Sequence, residues 1–258
     1  MTSRYTKRYT SAERCQTAVR NYTWLAQHAA PLLLPALRAV GPTSLVFEFI
    51  EGRHAEPADL PRIAAHMGDV HGAVWVDDLH RARLDAPHTP GQGLALADYP
   101  TSRRRALAAR HSAGFLPRPA DLAAAQELLT RTLTGPAAFY KDANPRNFLI
   151  TAHAIVTIDV DDLTLAPFGY DLAKLIVTLT MTHGPLPTTA VREALDQYNR
   201  AASFHHQSLG QTDMERLAAC MRLHGILTAP YLGRGGYQQR VPGFGASPSC
   251  HTKREGTE

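Results

Sequence analysis

Apolar positions recur along this chain with two different periods, and each change of period marks an element. Tyr5 to Tyr9 reads as the end of a short strand. Ser11, with Glu13 two residues on, opens a helix running to about His28, with Val19, Tyr22, Leu25 and Ala26 at helical spacing on one face. Pro31 and Pro35 break that regularity, and the apolar run from Ser44 to Ile50 predicts a strand closing at Gly52. From Asp59 to Trp75, Leu60, Ile63, Ala64, Met67, Val70, His71 and Val74 recur every three or four residues and predict an amphipathic helix. The stretch from His80 to Ala97, with its prolines and glycines, reads as an irregular connection, and helices follow over 103–110 and 121–133. Helices over 170–179, 188–204 and 212–227 complete the pattern, and residues 243–258 read as a flexible tail.

Between the fourth and fifth helices the pattern changes. Two apolar runs, 147–151 and 154–159, flank a turn at Ala152 and His153 and predict a β-hairpin with polar residues at its strand entrances. Those residues are Tyr140-Lys141-Asp142-Ala143-Asn144-Pro145-Arg146-Asn147 before the hairpin and Ile158-Asp159-Val160-Asp161-Asp162 after it. Phosphoryl transfer from a nucleotide needs a base near the acceptor hydroxyl and hard oxygen ligands for magnesium. Asp142 in the loop could accept the hydroxyl proton. Asn147 at the first strand and Asp159 at the end of the second could face one another as the metal pair. An Asp or Asn in a loop is also an ordinary turn former, and Asp142 with Asn144-Pro145 would make an acceptable turn by itself.

The ordered set Asp142, Asn147, Ile158-Asp159 and Tyr170-Asp171-Leu172-Ala173 resembles the aminoglycoside phosphotransferase and choline kinase family, whose core reads H-x-D-x-x-x-x-N, a hairpin, I-D, and later D-L-A. The resemblance extends from about Tyr5 to Tyr237. It implies an α+β, protein-kinase-like fold of two lobes: a reduced N-terminal lobe (1–52) that binds nucleotide, and a mainly helical C-terminal lobe (53–242) that carries the hairpin and the acceptor site. It further implies ATP and Mg2+ as cofactors and a small-molecule hydroxyl acceptor such as an aminoglycoside or other amino alcohol. By the same likeness Asp142 is the base, Asn147 and Asp159 bind metal, and Asp171 braces the catalytic loop. Lys7 would meet the nucleotide phosphates, and the backbone of Phe49 and Ile50 would meet the adenine.

Several positions depart from the family pattern. Six residues precede Lys7, fewer than the two strands and phosphate-covering loop that usually stand there, so either the small lobe is reduced or the start lies upstream. The helix position expected to hold a Glu for Lys7 is Asn21. Tyr140 stands at the motif's His, as a residue packing and hydrogen-bonding within the loop, and Lys141 replaces a small residue and is expected to face solvent. A kinase scaffold that binds nucleotide without turnover, or a metal hydrolase using Asp142 and Asp159, are the competing readings.

Composition narrows the remainder. At 44% hydrophobic and 19% charged, 258 residues suffice for a substantial core. The net charge of +4 is spread along the chain, apart from Arg103-Arg104-Arg105, read as a solvated surface patch, so a nucleic-acid partner is not expected. Cys15, Cys220 and Cys250 form neither a disulfide framework nor a zinc motif, which fits a reducing cytoplasm. No apolar run is long enough to span a bilayer, and Met1 to Arg20 has no secretory core. Asp161 and Asp162 are expected to be solvated or to support the site from behind it.

Overall fold

A computed structural model describes residues 3–91 and 93–241. The expected tail at 243–258 and Cys250 lie outside the described residues.

Strand β1 (Arg4–Arg8) leads into helix α1 (Ala12–His28), then strands β2 (Leu37–Val40) and β3 (Ser44–Glu48). These strands form one antiparallel sheet in the order β1-β3-β2, with Lys7 opposite Leu45 and Tyr5 opposite Phe47. Helix α1 starts where the sequence predicts, because the Ser11 hydroxyl accepts from the Arg14 N–H and Glu13 lies in the first turn, where a negative charge offsets the helix dipole. Its Cys15 and Ala18 pack with Leu45 of β3. Trp24 and Leu25 continue into the main core.

A short strand, β4 (Arg53–His54), leads to α2 (Leu60–Asp77), a hairpin of β5 (His88–Gly91) and β6 (Leu94–Leu96), and helices α3 (Tyr99–Ser112) and α4 (Pro119–Thr132). Strands β7 (Ala137–Tyr140), β8 (Phe148–Ile150), β9 (Ile155–Thr157) and β10 (Thr164–Pro167) follow, then helices α5 (Tyr170–His183), α6 (Thr188–His205) and α7 (Met214–Thr228). The predicted hairpin is β8–β9, with Phe148 opposite Thr157 and Ile150 opposite Ile155. Its turn is closed by Thr151, whose hydroxyl accepts from the N–H groups of His153 and Ala154.

The β7–β10 pair has no counterpart in the sequence reading. It pairs Tyr140 with Thr164 and Ala137 with Pro167, and Ala and Pro are depleted in strands, so propensity hides it. Burial explains it instead, since Ala137, Ala138, Phe139, Leu165 and Ala166 are all interior.

Helix α2 lies against α6 so closely that a Cβ on Gly68 would stand 2.1 Å from the Tyr198 carbonyl oxygen. Helix α5 is buried on almost every side, which removes the amphipathic signal. Its Thr178 and Thr182 hydroxyls donate to carbonyls one turn back, so threonines cost little in an interior helix. No helix among the described residues is long and apolar enough to cross a membrane.

Candidate active site

The chain leaves β7 at Tyr140 and turns sharply at Asp142, and it leaves β9 and turns again at Asp159. Asp142 (φ 64°) and Asp159 (φ 60°) are the only non-glycine residues with positive φ among those described. Left-handed backbone costs an L-residue about 1–2 kcal/mol, and strain of this kind persists where surrounding contacts over-determine it. Here the contacts are specific. The Asp142 carbonyl accepts from the Asn144 N–H (2.7 Å) and from Nδ2 of Asn147 (2.9 Å). The Asn147 carbonyl accepts from the Ile158 N–H (2.9 Å), tying the loop to the residue before Asp159. From behind, the buried Asp171 carboxylate at the start of α5 accepts from the N–H groups of Lys141 (3.4 Å) and Ala143 (3.3 Å), with His71 Nε2 3.6 Å away.

The Asp142 carboxylate itself accepts from the Tyr140 hydroxyl (3.0 Å) and pairs with Lys174 Nζ (3.2 Å). Burial by itself would raise its pKa. The Lys174 charge and the hydrogen bonds from Lys174 and Tyr140 overcome that and hold it below the ordinary carboxylate range. The sequence reading gave Lys174 no role. A lysine one turn after Asp171 in a helix otherwise destined for the interior was the available signal.

Two cavities meet at this loop. The first, about 480 Å³, lies between the small sheet and the β8–β9 hairpin and is lined by Lys7, Phe49, Ile50, Asn147 and Asp159. Its walls also include Tyr22, Leu45, Phe47 and Leu149, an apolar slot with a polar end. The Phe49 N–H donates to the Ser3 carbonyl (3.0 Å), so that donor is already engaged. Asp142 does not line this cavity. It faces the second, about 510 Å³, together with Arg103, Asn144, Arg146, Lys174 and Tyr237.

Lys7 lies at the polar end of the first cavity and is bonded to Asp159 and, at 2.6 Å, to Asp161. Burial pulls its pKa down, but the two carboxylates more than compensate and leave it raised. Asn21 does not reach the ammonium group; its Nδ2 donates to the Asp161 carbonyl. Asp161 thus supplies the charge that the helix does not, and its carboxylate also accepts from the Tyr9 hydroxyl (3.0 Å).

Magnesium favours a few hard oxygen ligands completed by water and phosphate. The amide hydrogens of Asn147 are directed at the Asp142 carbonyl, which turns its amide oxygen the other way, and Asp159 has a half-exposed carboxylate; this donor set fits such an ion. Among the described residues no cluster of three His, Cys, Asp or Glu side chains could hold a metal without nucleotide oxygens.

Two positions differ from expectation. Lys141 does not face solvent: it is buried, its Nζ has no hydrogen-bonding partner and lies 4.6 Å from the centroid of the Phe148 ring. Arg103 is no surface residue either. At 5% exposure it donates to the Tyr170 hydroxyl and the Tyr99 carbonyl and lies over the rings of Tyr99, Tyr140 and Tyr170, while Arg104 and Arg105 stay exposed.

The sequence profile of the phosphotransferase enzyme family matches residues 3–218. This chain belongs to that family. Solved structures of low identity share its protein-kinase-like α+β fold. Choline kinase LicA from Streptococcus pneumoniae is similar at 14% identity and a TM-score of 0.61, over 89% of this chain and 76% of that one. Macrolide 2'-phosphotransferase MphH from Brachybacterium faecium is similar at 15% identity and 0.58, over 92% and 81%. Aminoglycoside phosphotransferase APH(3'')-Id from Streptomyces rimosus, solved with ADP and streptomycin, is similar at 19% and 0.55, over 88% and 87%. No curated protein matches the chain.

Proposed function

We propose that this phosphotransferase-family protein moves the γ-phosphoryl group of ATP to a hydroxyl of a small molecule, with Asp142 as base. The observation that carries the reading is the pair of left-handed aspartates, Asp142 on one cavity and Asp159 on the other, linked through Asn147. The first cavity takes the nucleotide, its adenine in the apolar slot beside Phe49 and Ile50 and its phosphates toward Lys7. Magnesium bound with ATP supplies charge neutralisation at the phosphates, and Asn147 and Asp159 are the residues that would hold it. The second cavity takes the acceptor. Asp142, kept ionised by Lys174 and Tyr140, accepts the hydroxyl proton as the oxygen meets phosphorus, and Asp171 keeps the loop rigid through the N–H groups on either side of Asp142. Positioning and electrostatics carry this chemistry, so the rigid loop matters as much as the base.

One observation favours a second reading, nucleotide binding without turnover. Lys7 is closed onto Asp159, so one of the two carboxylate oxygens offered to a metal is already engaged by a cation. Magnesium-dependent ADP release separates the two. With ATP and a panel of hydroxyl acceptors including streptomycin, choline and an erythromycin-type macrolide, acceptor-dependent release is expected and should fall about 10²–10⁴-fold in Asp142→Ala. Release unchanged by that substitution would remove Asp142 from the mechanism. Nucleotide binding with no release from the folded protein would favour the second reading.

A further inference from the structure

The second cavity has an unbalanced charge. Its lining holds four permanent cations, Arg103, Arg110, Arg146 and Lys174, and one carboxylate, Asp142. Lys174 is paired with Asp142, so that carboxylate is already compensated. No acidic side chain among the described residues lies within ion-pair distance of the three guanidinium groups. Arg110 donates through Nε and Nη2 to the Leu227 carbonyl, and its guanidinium carbon is 5.9 Å from the Tyr231 ring centroid. Arg146 is exposed, with only the Asn144 side chain at 3.5 Å and the Tyr237 ring at 5.6 Å as partners. Arg103 forms the floor, on neutral partners alone. Carbonyls and ring faces orient a guanidinium without cancelling its charge. His224 adds no balance, because burial holds its pKa well below the usual value and keeps it neutral.

Three uncompensated cations in a concave, part-apolar site attract an anion and repel a polycation, since low-dielectric walls focus the field. The cavity is therefore poorly suited to an acceptor that carries several ammonium groups. We propose that the acceptor bears a carboxylate or phosphate ester on the same skeleton as its reactive hydroxyl, and that Arg110 and Arg146 receive that group. This rests on the reading of the second cavity as the acceptor site. It departs from the amino-alcohol class that family resemblance implies.

A charge-matched series tests it on the full chain with AMP-PNP filling the nucleotide site: D-gluconate and D-glucitol 6-phosphate (anionic), D-glucitol (neutral) and 1-amino-1-deoxy-D-glucitol (cationic), measured by calorimetry. Arg146→Gln is the main variant, because its side chain is exposed and makes only the two contacts named above; Arg110→Gln is the second. The anionic members should bind more tightly than glucitol and the amine least. Arg146→Gln should weaken the anions roughly tenfold while leaving glucitol unchanged, the size expected for one charge-assisted hydrogen bond. Gluconate and the phosphate ester distinguish the two kinds of anion. The proposal is overturned if no anion binds, if the amine or streptomycin binds more tightly than the anions, or if neither variant changes anion affinity. Parallel ADP release with ATP keeps the two claims apart: preserved charge order without any release would sink phosphotransfer and leave acceptor charge standing, and release confined to neutral or cationic acceptors would do the reverse.

Discussion

Lys141 is a charge the fold carries at a cost, and replacing it by Met should stabilise the protein. The side chain is 4% exposed, has no hydrogen-bonding partner, and shares a small cavity with His66 Nε2 and Thr157 Oγ1, which also have none. Burial is the main effect and lowers its pKa from 10.5 to about 8, against the opposing pull of Asp171, Asp142 and Asp159. A difference of that size corresponds to about 3 kcal/mol. Below pH 8 the lysine is protonated in both folded and unfolded chains, and the folded state bears the whole cost. Between pH 8 and 10.5 the folded chain releases its proton first, the unfolded chain binds more protons, and stability rises with pH. Lys141→Met keeps the stem and removes the charge. It should therefore be more stable at pH 7 by about 2–3 kcal/mol, or about 5–10 °C in Tm for a chain of this size, and the gain should shrink above pH 8. Guanidinium unfolding of both proteins at pH 7 and pH 10 measures it directly. Equal or lower stability of Lys141→Met at pH 7, or a gain that does not change with pH, would refute the reasoning.

The other predictions concern the two cavities. Asp161→Asn removes one of the two carboxylates on Lys7, and ATP affinity should fall about fivefold, as expected for a partly exposed ion pair, with Tm little changed; unaltered KM for ATP would show that Asp161 does not position Lys7. Tyr140→Phe removes a donor that helps keep Asp142 ionised, so the acid limb of the kcat/KM profile should move to higher pH, activity being lost as pH falls through the Asp142 pKa. An unmoved limb would assign that ionisation to another group.

Much of the site was legible because its spacing is local. Asp142 to Asn147 is one turn of backbone, and Asp159 is separated from it by a hairpin whose turn and strands announce themselves, so order along the chain nearly equals placement in space. Lys7, Phe49 and Ile50 line the same cavity as Asn147 and Asp159 for a similar reason: one antiparallel sheet sets β1 against β3. Helices with one apolar stripe, α1 and α2, were legible within a few residues of their ends.

What the sequence alone determined, then, was the family, the succession of helices and the hairpin that frames the candidate loop, all carried by short-range periodicity and spacing. Only the tertiary structure decided where the charges went. Arg103 lies in a run of three arginines and Lys141 next to the loop acid, and nothing local distinguishes a solvated cation from a buried one. Burial depends on long-range partners: the Tyr170 hydroxyl and the Tyr99 carbonyl for Arg103, Phe148 for Lys141, and Asp161 rather than Asn21 for Lys7. Electrostatic energy depends on distance and on exclusion of water, both properties of the packed chain, so the cationic character of the second cavity emerges only once α3, the loop around Asp142 and α5 have come together around it.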